Sequence, residues 1–418
     1  MIDLIIIIYY LISITYLIYN IKKDFISLPN LFLISQLVMF SGITMQMNKN
    51  VLADRILIIM YTIALIMFIL GVSFCKKLKK GKVVSISYNY NYVPNKYQFQ
   101  MIYLIVFISI LACLYLFRAV GTNLFVNIIK TLASSGELDN ITESRLSFYG
   151  VSGIGYIYQF RVILLPVLTI FLFSFCKKNF STWALFILMI TFLLGTGQRG
   201  GFFTFGLTWL LILLTEGQLR GNRFNKKIVG VFILVISLFC IMTIANGRIT
   251  SENKNIIGAI IQRFTNDNQI TAIYGFRYIY NQPTQWGLDW LNMFKDILPG
   301  KNSYLPVANR IFATMYGSTR GTAPPCIWGS VYYNWGLIGI IVIPFFMGLI
   351  YRLIYCRLFR REINPLRLTI YSAIFVSLGM WAADAPITLF NQGFIALCIL
   401  AFILHIDKGD IVKGKIYE

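Results

Sequence analysis

Long apolar segments are the feature of this sequence that most constrains its fold. They run for about 15 to 26 residues each and are separated by short stretches rich in Lys and Arg. A helix needs about 20 apolar residues to cross roughly 30 Å of hydrocarbon. Apolar residues make up 57% and charged residues 13% of the 418, whereas soluble proteins carry about 45–50% and about 25%. The sequence therefore predicts an all-α, polytopic integral membrane protein and excludes a water-soluble one.

We predict eleven transmembrane helices that form one bundle from residues 1–418. The predicted spans lie near residues 2–19, 30–46, 56–74, 101–118, 151–175, 182–197, 201–215, 228–246, 326–351, 366–383 and 387–406. The first segment is expected to remain as a span, because the charged region and small-residue cleavage site of a removable signal peptide are missing.

The orientation of the bundle follows from the Lys and Arg residues in the short connections. Alternate connections carry Lys22 and Lys23; Lys76, Lys77, Lys79, Lys80 and Lys82; Lys177 and Lys178; Arg220, Arg223, Lys226 and Lys227; Arg352, Arg357, Arg360, Arg361 and Arg367; and Lys408, Lys413 and Lys415. All six fall on one side, which we predict to be cytoplasmic, so the N-terminus lies outside and the C-terminus inside. This topology accounts for most of the formal charge of +21, and a nucleic-acid partner is not needed to explain it.

The long connections lie on the outer side. They comprise residues 119–150 and the larger segment 247–325, whereas the cytoplasmic connections are too short for a nucleotide-binding domain. Neither a P-loop nor a GxGxxG motif after a strand is present. Any chemistry is therefore expected at the outer face of the membrane.

Two stretches of the larger loop, 255–266 and 286–298, show helical periodicity. In the second, Trp290, Leu291, Phe294 and Leu298 share one face, and Asp289, Asn292, Lys295 and Asp296 share the other. Such a helix either lies flat at the level of the lipid headgroups or packs within a loop subdomain, and the sequence leaves both possibilities open.

The larger outer loop carries a cationic excess that the positive-inside rule does not require. Eight cations face four carboxylates, a net charge of +4 that suits an anionic ligand. The cations are Arg248, Lys254, Arg263, Arg277, Lys295, Lys301, Arg310 and Arg320, and the carboxylates are Glu252, Asp267, Asp289 and Asp296.

Two further arginines are predicted near the outer face, one within a span and one in the turn between two spans. Arg161 is placed about 22 Å from the inner face, where a guanidinium either faces a cavity or partner or extends to the headgroups. Arg199 lies in the glycine-rich turn 195–201, whose free N–H groups suit an anion; a tight interfacial hairpin is the alternative.

Several other residues on the predicted outer side have two explanations, one structural and one functional. Arg118 ends the fourth span and is explained equally well as an interfacial anchor. Asp384 either pairs with an arginine or caps the following helix, and Glu143 either acts in the site or belongs to a solvated loop. Tyr316 and nearby aromatic residues could stack on sugar rings.

Cysteine and histidine usage argues against disulfide and metal sites. The seven cysteines are scattered singly, and His405 is the only histidine. No Asp, Glu or His cluster has the spacing of metal ligands. We therefore predict no disulfide framework, no metal and no cofactor.

Four short motifs carry a resemblance to a known family. They are Gly197-Gln198-Arg199-Gly200-Gly201, Ile297-Leu298-Pro299-Gly300-Lys301, the segment 318–325 (STRGTAPP) and the segment 329–339 (GSVYYNWGLIG). Together with about eleven spans and a large late outer loop, they resemble the O-antigen polymerases of the Wzy family, which join oligosaccharide repeat units. The resemblance covers most of the chain in layout and short stretches in motif.

The resemblance implies a glycosyltransferase with a GT-C-like fold in the bacterial inner membrane. Its substrate would be oligosaccharide carried on undecaprenyl diphosphate at the periplasmic face, and a chain-length regulator is a possible protein partner. Arg161, Arg199, Arg310 and Arg320 would hold the diphosphate, supported by Arg118 and Arg277, and Glu143 or Asp384 would serve as the base.

Three other functions remain open at this stage. An O-antigen ligase is disfavoured because the outer side has no histidine. A flippase or ion-coupled transporter would place its ionisable residues near the midplane rather than at the outer surface, and a non-catalytic assembly partner would make no polymer.

Overall fold

The computed structural model describes residues 1–24, 27–78, 88–89, 92–133, 146–176, 179–198, 200–219, 226–245, 268–295, 297–298, 304–319, 321–359, 362–381 and 385–406. Within these ranges the chain is helical, and the one β feature is an isolated bridge between Tyr88 and Ile363. The helices are α1 (Ile2–Asp24), α2 (Leu28–Gln46), α3 (Leu52–Leu78), α4 (Lys96–Val120), α5 (Leu124–Ala133), α6 (Leu146–Tyr149), α7 (Ile154–Tyr158), α8 (Leu165–Phe175), α9 (Phe180–Leu194), α10 (Gly200–Leu219), α11 (Lys226–Ala245), α12 (Asn268–Tyr280), α13 (Leu288–Lys295), α14 (Val307–Tyr316), α15 (Cys326–Leu358), α16 (Pro365–Gly379), α17 (Ile387–Asn391) and α18 (Phe394–Ile403).

Seven helices in the described part of the chain are long and apolar enough to cross a membrane. They are Ile2–Asn20, Leu28–Gln46, Leu52–Cys75, Lys96–Val120, Ile154–Phe175, Gly200–Leu219 and Cys326–Leu358. This confirms the prediction of a polytopic helical membrane protein. The other predicted spans coincide with the shorter apolar helices α9, α11, α16 and α18, and the count of eleven remains a prediction.

The helices α3 and α15 form the central pair of the bundle, and glycines let their backbones approach closely. A Cβ added at Gly71 would stand 2.0 Å from the carbonyl oxygen of Phe345, and one at Gly348 would stand 2.1 Å from that of Phe68. Small residues at such crossings are common in membranes, where van der Waals packing drives helix association. The pair gives α15 a rigid support along its length.

The helix α15 is interrupted at Gly336, whose backbone angles (φ 60°, ψ −154°) are not helical. Only glycine adopts this conformation readily. Carbonyl groups freed by the break are bonded again by the larger loop: Tyr333 O accepts from Gln285 N at 2.9 Å, and Asn334 O accepts from Gly287 N at 3.2 Å. Irregular backbone at membrane depth is tolerated when protein covers it in this way.

The helices α12, α13 and α14 gather at one end of the bundle, which we call the loop end. The beginning of α7 reaches it, because the Tyr156 hydroxyl donates to Ile297 O. The start of α5, just after α4, meets the end of α9 through a hydrogen bond from Leu124 N to Gly195 O at 2.8 Å. The predicted topology assigns these helix ends to the outer side, so the predicted site residues belong to the same side of the bundle.

Candidate active site

Arg310 is the centre of a polar cluster at the loop end. Asp289 lies in the first turn of α13, Tyr304 precedes α14, Arg310 lies on α14, and Tyr333 lies just before the break in α15. Asp289 is completely buried, whereas the side chain of Arg310 is 31% exposed. The larger loop and a membrane-spanning helix therefore contribute to one site.

The guanidinium of Arg310 is held by two phenols and one carboxylate. Its Nη2 donates to the hydroxyl of Tyr304 at 3.1 Å and to that of Tyr333 at 3.0 Å. The same nitrogen lies 3.5 Å from Asp289 Oδ1, and both phenol rings flank the guanidinium carbon at 5.8 and 5.7 Å. Among the residues that the structure describes, these contacts of the guanidinium all involve Nη2, and Nη1 is a further donor that suits an oxygen of an anionic ligand.

Asp289 holds Tyr304 and the start of α14 in position beside Arg310. Its Oδ1 accepts from the Tyr304 hydroxyl and, at 3.3 Å, from Val307 N at the start of α14. A carboxylate is favourable there because the N-terminus of a helix carries partial positive charge. Burial, and then the hydrogen bond to Asp289, raise the pKa of Tyr304. Tyr304 therefore remains a neutral phenol that donates to Asp289 and accepts from Arg310.

The helix α13 is attached to α15 by side chains beside the cluster. Trp290 Nε1 donates to Ser330 Oγ at 2.9 Å, and Trp290 N donates to Asn334 Oδ1 at 3.4 Å. Asn334 is fully buried, so these bonds form in a region from which water is excluded. They keep Asp289 in position relative to Tyr333.

Arg277 forms a paired interaction with the start of α3. Its Nε and Nη2 donate to the two carboxylate oxygens of Asp54, each at 2.7 Å. Asp54 is 1% exposed and also accepts from Asn48 N at 2.7 Å. The fork-to-fork geometry is the strong form of a charged hydrogen bond, and it connects the larger loop to the first outer turn. In this position Arg277 holds the fold at the loop end.

Replacing Arg277 with Gln should lower the free energy of unfolding by about 2–3 kcal/mol, because Asp54 would remain buried without its cation. Reversible unfolding of the protein in mixed detergent micelles measures this loss. A double variant, Arg277→Gln with Asp54→Asn, should recover part of it. Lys295→Gln, at an exposed cation of the same loop, should leave stability unchanged. Equal stability of Arg277→Gln and Lys295→Gln would contradict this role.

Arg161 lies in a π-helical turn, Gln159–Leu164, between α7 and α8, and it is 1% exposed. Its Nη1 donates to Leu193 O at 3.0 Å and to Phe192 O at 3.3 Å. These carbonyls belong to the last turn of α9, where a cation is favoured. Its Nη2 donates to Gln198 Oε1 at 2.9 Å. A guanidinium buried at this depth needs hydrogen-bond partners. Arg161 has them in the backbone carbonyls of α9 and in the side chain of Gln198.

Replacing Arg161 with Met removes the guanidinium and leaves an apolar side chain of roughly similar length. We expect this change to loosen the end of α9. We expect the amide of Gly197, which donates to Leu194 O, to exchange its hydrogen about 10- to 100-fold faster, because buried carbonyls lose their donor. Hydrogen exchange with mass spectrometry measures this rate. The amide of Met47 at the end of α2 is the internal control, and unchanged exchange at Gly197 would contradict the prediction.

The remaining predicted residues are distributed over the loop end and beyond the described ranges. Arg118 is exposed in the last turn of α4, where its charge is favourable. Tyr316 is 59% exposed at the end of α14, and its ring packs on Phe312 at 4.6 Å. Four predicted site residues and the predicted helix 255–266 lie outside the described residues. The four residues are Arg199, Arg320, Glu143 and Asp384.

The structure adds three residues to those that the sequence singled out as candidates. The sequence pattern places Asp289 on the polar face of a loop helix and does not single out Tyr304 or Asp54. A carboxylate in the first turn of an apolar span is costly unless it is paired, so Asp54 could have been recognised. Nothing in the sequence indicates that Tyr304 reaches Asp289.

Among the described residues, no three His, Cys, Asp or Glu side chains come together in a way that could hold a metal ion. The polar groups that converge at the loop end are arginine, tyrosine and a single carboxylate. This set suits an anionic or hydroxyl-rich ligand. No protein family, curated protein or solved structure matches the chain.

Proposed function

We propose that this protein is a repeat-unit polymerase, a glycosyltransferase that acts on oligosaccharides carried by undecaprenyl diphosphate at the outer face of a bacterial inner membrane. The observation that carries the proposal is Arg310, a partly exposed guanidinium held by Asp289, Tyr304 and Tyr333 at the loop end. Such a preorganised cation can stabilise a departing diphosphate. The motif resemblance points to the same activity.

The proposed architecture has eleven spans in a GT-C-like bundle, with the N-terminus outside and the C-terminus in the cytoplasm. The seven long apolar helices and four shorter ones support this arrangement. Under this topology the loop end faces the periplasm, where nucleotide sugars are absent. A donor activated as a lipid diphosphate suits that location.

In the proposed reaction, a hydroxyl oxygen of the acceptor sugar attacks the anomeric carbon of the donor glycan. The bond from that carbon to the diphosphate oxygen breaks, and its electron pair leaves with the lipid diphosphate. Arg310, with Arg199 and Arg320, holds the diphosphate, and Glu143 or Asp384 takes the hydroxyl proton. Arg161 supports the turn that carries Arg199.

Deleting the gene in its own host separates this function from its rivals. Loss of the polymerase should leave surface lipid that carries one repeat unit, which a glycan gel detects as a single short band. Loss of a flippase would remove glycan altogether, and loss of a ligase would leave polymer that is not attached to its acceptor. Either of those two patterns, or unchanged long chains, would contradict the proposal.

A further inference from the structure

The helix α13 turns its carboxylate inward and its apolar side chains outward. Asp289 and Met293 are buried against the protein, whereas Leu288 and Leu291 are each 56% exposed and Phe294 and Leu298 are also exposed. A helix on a water-facing surface has the opposite arrangement. Exposed apolar side chains on this scale are typical of a helix that meets lipid or another protein.

The surface of α13 has three sectors rather than two. With successive residues about 100° apart around the axis, Asp289 and Met293 point into the protein, and Leu291 and Phe294 form the exposed apolar sector; Leu298, beyond the end of the helix, is exposed as well. Asn292 and Lys295 form a polar edge, joined by a hydrogen bond of 3.1 Å, and the exposed Leu288 lies between them. Protein on one side, an apolar sector and a charged edge are the pattern of a helix that lies at a membrane surface.

Beside the apolar sector, the segment that contains α13 meets the helix α15 at the ring of Trp335. A Cβ added at Gly287 would stand 2.7 Å from the ring of Trp335, and the rings of Trp290 and Trp335 meet edge to face at 6.2 Å. Beyond this junction, Leu337 and Ile338 are exposed on α15. Exposed apolar side chains on two helices that meet in this way mark an interaction surface, and α15 is one of the helices long and apolar enough to cross a membrane.

The depth of this junction can be obtained from α15 itself. Gly336 lies sixteen residues before Arg352, which the sequence places at the cytoplasmic surface, so the two are about 24 Å apart at 1.5 Å per residue. The hydrocarbon layer is about 30 Å thick. The break therefore lies just beneath the outer surface, and Gln285 and Gly287 lie at the same level because they donate to the carbonyls of Tyr333 and Asn334.

We propose that α13 is inserted in the outer leaflet, with Leu291, Phe294 and the following Leu298 in contact with lipid acyl chains and Lys295 at the headgroups. Continuity with the lipid-facing side of α15 selects lipid over a second copy of the chain as the occupant of this surface. The insertion also holds Arg310 close to the plane of the lipid phosphates. This inference stands independently of the proposed enzymatic activity.

Photocrosslinking of the full-length protein in liposomes of phosphatidylethanolamine and phosphatidylglycerol tests the proposal. The photoreactive residue p-benzoylphenylalanine is introduced separately at positions 291, 292 and 338, and mass spectrometry counts the lipid adducts. Position 338 is the control on the spanning helix, and position 292 is the neighbour on the polar edge. We expect a yield at 291 within about twofold of that at 338 and about tenfold above that at 292, because the probe reaches acyl C–H bonds only within the hydrocarbon.

Two results would overturn this inference. One is an absence of lipid adducts at position 291 while position 338 gives them, and the other is a crosslink between two copies of the protein at 291 in place of lipid. The same probe at position 294 substitutes one aromatic ring for another and repeats the test if the variant at 291 does not accumulate in the membrane.

Discussion

Replacing Arg310 with Ala should reduce the rate of glycan polymerisation about 100- to 1,000-fold, the usual effect of removing one preorganised group that stabilises transition-state charge. The side chain of Arg310 is partly exposed while its Nη2 is held by Tyr304 and Tyr333. Arg310→Lys keeps the charge and loses the planar fork, so we expect a loss of about tenfold. The rate is measured as repeat units joined per protein in membranes that contain equal amounts of each variant.

The Arg310 experiment needs controls because Asp289 is buried and would lose its cation. Tyr333→Phe removes one hydrogen bond to Arg310 without changing any charge, and it should lower the rate by a smaller factor of about five to tenfold. Lys295→Ala removes an exposed cation of the same loop and should leave the rate unchanged. Full activity of Arg310→Ala at normal membrane levels would show that Arg310 has no part in the reaction. An equal loss of activity in Lys295→Ala would show that Arg310 contributes only through the overall positive charge of the loop.

Replacing Gly348 with Ala should lower the free energy of unfolding by about 3 kcal/mol, at the upper end of what overpacking costs. The added Cβ would meet the backbone oxygen of Phe68 at 2.1 Å. Backbone cannot move aside as a flexible side chain can, so α3 and α15 would have to separate along their whole contact. Reversible unfolding in mixed micelles measures the change, and the amount of protein in the membrane should fall with it.

A second glycine provides the matched control for this experiment. Gly230 lies in α11, and a Cβ added there meets open space. Gly230→Ala should therefore stabilise the protein slightly, by about 0.5–1 kcal/mol, because Ala is the better helix former. If Gly348→Ala is as stable as the unchanged protein, α3 and α15 do not pack as closely as the structure has them.

The membrane-spanning helices could be predicted because the length of an apolar run and the thickness of a bilayer determine them together. The break at Gly336 could not, since glycine is common within transmembrane helices. Its cause is a contact made by Gln285 and Gly287, about fifty residues earlier in the chain. Local periodicity contains no information about such a partner.

At the candidate site, the sequence pattern predicted helices but not the partners of their side chains, which depend on tertiary contacts. Periodicity predicted a helix at α13 but placed Asp289 on one face with Asn292 and Lys295, whereas Asp289 is buried and Lys295 is exposed. The depth of Arg161 required a partner, yet its carbonyl partners lie on a different helix. The pairing of Arg277 with Asp54 spans 223 residues.

The most direct test of the central claim is to incubate the purified full-length protein with lipid-diphosphate-linked repeat units and to resolve the products on a glycan gel. We expect a ladder of polymers with the unchanged protein, the same ladder in the presence of a chelator, and only the one-unit band with Arg310→Ala. Single repeat units alone from the unchanged, folded protein would contradict the assignment as a polymerase, and an undiminished ladder from Arg310→Ala would contradict the role given to its guanidinium.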